Sequence, residues 1–112
     1  MRITFALLSV AFSALSAVVT ASPARANCYE TFGCTDSEYF AAQQLEQASC
    51  LVLWEVRNII FKERGYCFGT AKAVKAFGNA GCLYHDVASV PRNDFERANI
   101  SVIKEVKNNK GC

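Results

Sequence analysis

The sequence predicts a small, mainly α domain of about four helices, stapled by disulfides and preceded by a signal peptide. Three observations carry this expectation. All six cysteines, at positions 28, 34, 50, 67, 82 and 112, lie beyond an N-terminal export segment, and an even number in an oxidising compartment reads as three bonds. Apolar residues recur at helical spacing between recognisable start and stop signals. No alternating apolar and polar run is long enough to announce a strand.

The predicted signal peptide covers residues 1–26. Arg2 supplies the positive start, residues 3–19 form an uncharged apolar run, and Ala24-Arg25-Ala26 is a small-x-small cleavage pattern. Asn27 separates Ala26 from Cys28, so the pattern for a lipid-anchored cysteine is not met. Cleavage leaves residues 27–112 as a single cysteine-rich domain, with no membrane insertion expected of it. The signal takes Arg2 and Arg25 with it, and the remaining ten Lys and Arg balance ten Asp and Glu. Such scattered, balanced charges do not suggest a nucleic-acid binder, which needs a basic surface to neutralise phosphates. An 86-residue domain buries a modest core, for which covalent staples are a sensible supplement.

Residues 27–34 hold two cysteines and a glycine with little periodicity, which predicts a compact turn. Thr35-Asp36-Ser37-Glu38 has the form of a capping box and predicts a helix over 36–48. The strongest helix is expected over 51–64: Leu53, Val56 and Ile60 make one apolar row, Trp54 and Phe61 another, and Gly65 is placed to terminate it. A short helix over 71–77 follows Thr70 and stops before Gly78. Residues 78–91 read as a loop with a turn-rich opening. The last helix is capped by Asn93, with Glu96 at its third position. Phe95, Ala98, Val102 and Val106 recur on one face, and Lys104, Lys107 and Lys110 suit its negative end.

Six cysteines allow fifteen pairings, and the sequence does not select among them. Chain geometry makes some more economical. Cys28 with Cys34 closes a short turn, and Cys67 with Cys82 brackets the short helix. Cys50 and Cys112 meet if the long and last helices pack antiparallel.

Residues 51–107 resemble the YARHG domain, an extracytoplasmic bacterial module named for a five-residue motif that follows an Arg-Asn pair on a helix. Arg57-Asn58 stands where the pair stands, Phe61-Lys62-Glu63-Arg64-Gly65 stands at the motif, and Tyr66-Cys67-Phe68 continues as its aromatic tail. Glu96-Arg97-Ala98-Asn99-Ile100 resembles the family's terminal helix. Of the five motif letters only Gly65 is kept, and Cys67 and Cys82 look like additions of a disulfide-bearing subgroup. The resemblance implies a secreted accessory or interaction module and carries over no catalytic residue.

Arg57 and Asn58 interrupt an apolar helix, where a guanidinium and an amide are suited to hold loop carbonyls or a carboxylate such as Glu96. Asn99 is expected to do the same from the last helix. The alternative is that these residues, with Gly65, Tyr66 and Tyr84, line a recognition surface. Tyr29, Phe32 and Tyr84 sit in cysteine-tied loops, where rings either pack or anchor a partner.

His85-Asp86 is where enzyme chemistry would begin, with Ser89 or Ser101 as nucleophile, but no nucleophile-elbow motif is present. One histidine and no C-x-x-C argue against a zinc site or a thiol-redox enzyme, and no cofactor is expected. The resulting expectation is a non-catalytic interaction module, periplasmic or extracellular, whose partner is a protein or another envelope component. The alternatives are an inhibitor of an extracellular enzyme and a small hydrolase using His85.

Overall fold

The computed structural model describes residues 26–112. The predicted signal peptide, apart from Ala26, lies outside the described residues. The chain runs β1 (Cys28–Tyr29), β2 (Gly33–Cys34), α1 (Ala42–Glu46), α2 (Cys50–Glu63), α3 (Ala71–Phe77) and α4 (Asp94–Lys110), with a 3-10 turn at Val87–Ser89 before α4. No helix among the described residues is long and apolar enough to cross a membrane. The mainly α, disulfide-bearing architecture expected from the sequence is the one observed. The three bonds are Cys28–Cys34, Cys50–Cys112 and Cys67–Cys82, the economical set.

The core lies between α2 and α4. Leu53, Val56 and Ile60 on the first and Ile100, Ile103 and Val106 on the second are buried, and Leu45 of α1 and Phe40 join the same cluster. Each such side chain contributes about 1.5–3 kcal/mol on burial. The pair is antiparallel, since Cys50 at the start of α2 is bonded to Cys112 just past the end of α4. At the opposite end Arg64, immediately after α2, grips Glu96 in the first turn of α4. One end of the helix pair is therefore closed covalently and the other by an ion pair.

Helix boundaries follow local hydrogen-bond chemistry. Ser49 Oγ accepts from Val52 N–H to start α2, and Thr70 Oγ1 accepts from Ala73 N–H to start α3. Asn93 and Glu96 make a reciprocal capping box for α4, with Glu96 N–H donating to Asn93 Oδ1 (2.9 Å) and Asn93 N–H to Glu96 Oε1 (3.0 Å). The end of α2 is a Schellman motif: Tyr66 N–H donates to Phe61 O and Gly65 N–H to Lys62 O. The Phe61 and Tyr66 rings, 5.8 Å apart, supply its apolar contact. Gly65 has φ +86°, which a side chain would strain.

The first helix departs from expectation. It spans five residues, begins after Ala41 and has no side-chain cap, so the box at 35–38 does not start it. Those residues lock the N-terminal turn instead. Thr35 Oγ1 accepts from Asn27 Nδ2, Thr35 N–H donates to Asn27 O, and the Glu38 carboxylate accepts from Cys34 N–H at 2.6 Å. The bonded cysteines pull this stretch into a two-stranded turn, and a helix there would have to give up these pairings. Two paired residues on each side, Cys28 with Cys34 and Tyr29 with Gly33, form an antiparallel ladder too short for alternation to reveal.

Candidate functional site

The residues at the family motif and the loop bounded by Cys82 come together at the C-terminal end of α2. The Schellman turn frees the carbonyl of Gly65 to face the loop, where it accepts from Leu83 N–H (2.7 Å) and Tyr84 N–H (3.0 Å). Cys67 N–H in turn donates to Tyr84 O at 2.7 Å, completing a parallel bridge between Tyr66 and Tyr84. The Cys67–Cys82 disulfide fastens the same two segments. A third link comes from Asn79, whose Oδ1 accepts from Phe68 N–H (2.7 Å) while its Nδ2 donates to Phe68 O (3.0 Å). The amide thus replaces a strand neighbour for Phe68.

An open groove of about 440 Å³ results, bordered by Lys62, Arg64, Gly65 and Tyr66 on one side and by Cys82, Leu83 and Tyr84 on the other. Leu83 is 73% exposed, an apolar side chain held outward on a braced loop. Tyr66, which lines the groove, belongs to a chain of rings running Phe61, Tyr66, Phe68, Phe77 and Trp54, with successive centroids 5.1 to 5.8 Å apart. Such tilted, edge and stacked contacts suit the ring quadrupoles and hold the Tyr66 ring in place.

Arg64 closes one edge. Its Nε lies 2.9 and 2.8 Å from the two oxygens of Glu96, and Nη2 lies 2.6 Å from Oε1. Hydrogen bonding to Glu96 pushes the guanidinium above its already high pKa, so its charge is permanent. The Glu96 carboxylate therefore serves both the cap of α4 and the end of α2.

Of the sequence-predicted residues, Gly65, Tyr66 and Tyr84 meet at this groove, while Arg57, Asn58 and Asn99 do not. Glu96 is the anticipated carboxylate, but its partner is Arg64 rather than Arg57, two helical turns away on the same stripe. Arg57 instead lies with its guanidinium carbon 5.7 Å from the Phe61 ring centroid. Asn58 Nδ2 donates to Trp54 O within its own helix. Asn99 behaves as expected: buried, it accepts from Phe40 N–H (2.9 Å) and donates to Thr35 O (3.0 Å) and Glu38 O (2.8 Å). Tyr29 packs on Phe32 and Phe32 on Phe40, and both lie against the core.

His85 is exposed in the loop after the bridge. Its neighbour Asp86 accepts from Ala88 N–H and caps the 3-10 turn, so that carboxylate is engaged with backbone. Among the described residues no three His, Cys, Asp or Glu side chains are grouped to hold a metal ion.

The profile of the YARHG domain family matches residues 27–108, taking in the cysteine turn and α1 as well as the stretch read from the motifs. The chain belongs to the YARHG domain family. No curated protein and no solved structure matches it. In this YARHG domain the region of the name-giving motif, residues 61–65, is the last turn of α2 and its terminator, and it forms one bank of the groove. Asn79 and Leu83 did not stand out as site residues in the sequence. The double hydrogen bond of Asn79 depends on residue 68 being folded back beside it, which no local pattern encodes.

Proposed function

We propose that this domain is a non-catalytic interaction module of the cell envelope, exported by the signal peptide and working in the periplasm or outside the cell. The partner is a protein or another envelope component rather than nucleic acid, and it docks in the groove between the end of α2 and the loop at 82–84. The observation that carries this reading is the exposed Leu83 beside Tyr84, held outward by the Gly65 carbonyl, the Tyr66–Tyr84 bridge and the Cys67–Cys82 bond. A rigid loop presenting an apolar anchor loses little entropy on binding. Three disulfides are compatible with an oxidising location.

A second reading, inhibition of an extracellular enzyme, draws on the same braced Leu83. A photo-cross-linking residue placed at position 83 of the oxidised domain, with a control at Glu105 on an exposed part of α4, tests both. Discrete cross-linked proteins at position 83 alone are expected. The same bands from both positions, or none, reject the groove. A cross-linked hydrolase whose activity falls with added domain selects inhibition.

A further inference from the structure

The charges that look scattered in the sequence are gathered by the fold. Arg57 on α2, Lys72 on α3, and Lys104 and Lys107 on α4 line two adjoining depressions of about 210 and 270 Å³, which share Lys107 and Cys112 as a common wall. No Asp or Glu lines either one. Among the described residues the ion pairs are Arg64–Glu96 and Arg97–Asp94, so none of these four cations has a carboxylate partner. Four of the ten cations of residues 27–112 therefore converge with no Asp or Glu side chain among them, in a stretch whose Lys, Arg, Asp and Glu charges sum to zero.

Two further features mark the first depression as more than a solvated lysine face. The Arg57 guanidinium makes no hydrogen bond to any described residue: its Nε is buried without an acceptor, and its Nη groups, which are not buried, are left to donate at the depression that Arg57 lines. The Lys107 ammonium is pushed below its ordinary pKa, first by burial and then by the charges of Arg57 and Lys72, so the cations strain against one another. Lys72 is held in place by the Trp54 ring, with Nζ 4.2 Å from its centroid.

We infer that this groove binds a phosphoryl group, with Arg57 donating to its oxygens and Lys104 and Lys107 flanking it. The planar fork of Arg57 suits an oxyanion, and the surplus of positive charge exceeds what a single carboxylate would neutralise. A depression of about 210 Å³ takes one such group rather than the run of phosphates in a nucleic-acid backbone. The site lies along the middle and the disulfide end of the α2–α4 pair, apart from the groove at Leu83, and does not depend on it.

Inorganic phosphate, titrated at constant ionic strength against sodium chloride, is the direct probe. The Arg57 Nε–H resonance should move saturably with phosphate, and Lys104→Gln/Lys107→Gln should weaken the response by at least about tenfold while leaving the remaining spectrum folded. Sedimentation with phosphatidylglycerol vesicles, but not phosphatidylcholine, that is lost in Arg57→Gln would place the phosphoryl group on a lipid head. A phosphate response without vesicle binding would place it on a soluble ligand. An Arg57 resonance that responds to phosphate no more than to chloride overturns the inference, as does a response unchanged in the double lysine variant.

Discussion

Both carboxylate oxygens of Glu96 are held by the single guanidinium of Arg64, across the open end of the α2–α4 pair. Glu96 is 1% exposed, and Arg64 keeps 37% of its side chain in solvent. Removing Arg64 strands a buried charge, whereas removing both partners does not. Arg64→Ala should cost about 2 kcal/mol, the lower range for breaking such a pair because the arginine is solvent-screened. Arg64→Met/Glu96→Gln should recover part of that loss. Urea unfolding of the three proteins measures it, and equal stability of single and double variants would contradict the coupling.

Asn99 ties residues 35–40 to α4 through three hydrogen bonds. Asn99→Ala would leave one N–H and two carbonyls to find new partners in a buried place. A loss on the order of 3 kcal/mol is expected, lowering Tm by roughly 15 °C in a domain of this size. Asn99→Asp should be at least as damaging, since its carboxylate would face the Thr35 and Glu38 carbonyls. Calorimetry with the disulfides intact gives the comparison.

The three disulfides close loops of very different length, with sequence separations of 6, 15 and 62. By chain entropy their removal should cost on the order of 2, 3 and 4 kcal/mol in that order. Pairwise Cys→Ala variants should therefore rank with Cys50/Cys112 as the least stable. A domain most damaged by losing Cys28 and Cys34 would show that local pairing in the N-terminal turn outweighs loop closure.

Lys107 carries a pH signature. Its folded pKa lies below the usual 10.5, so between the two values the unfolded chain binds more protons, and stability rises with pH through that window. Lys107→Gln should remove this rise and be more stable than the parent at neutral pH. Saturating phosphate should narrow the gap. Unfolding midpoints from neutral pH to pH 10.5, parent against variant, decide it.

Much of this fold was legible because its signals are local. Gly65, Thr70, Asn93 and the Leu53, Val56 and Ile60 row of α2 act within one helix, and each performs the role its neighbours imply. On α4 the expected row is displaced, since Ala98 is exposed, Phe95 and Val102 are half-buried, and the face turned to α2 and residues 35–40 is Glu96, Asn99, Ile100, Ile103 and Val106. Thr35 and Glu38 mislead for the opposite reason. Their side chains have the right chemistry for a cap, but Asn27 and Cys34, brought close by a disulfide, claim them first. Glu96 was recognisable as a carboxylate awaiting an arginine. Choosing Arg64 over Arg57 required knowing that antiparallel packing sets the start of α4 beside the end of α2. The groove at Leu83 was least legible, since its form depends on backbone hydrogen bonds between 65–68 and 79–84.

Helix α4 also acts as the template for the opening third of the domain. Asn93 Nδ2 donates to Asp36 O, Asn99 binds residues 35, 38 and 40, and Lys110 Nζ donates to Glu46 O, all across separations of 57 to 64 residues. The segment from 35 to 46 has little regular structure of its own to satisfy its backbone. The arrangement of residues 35–46 is therefore only as secure as their anchorage to α4, so a change that loosens α4 loosens a segment more than fifty residues earlier in the chain.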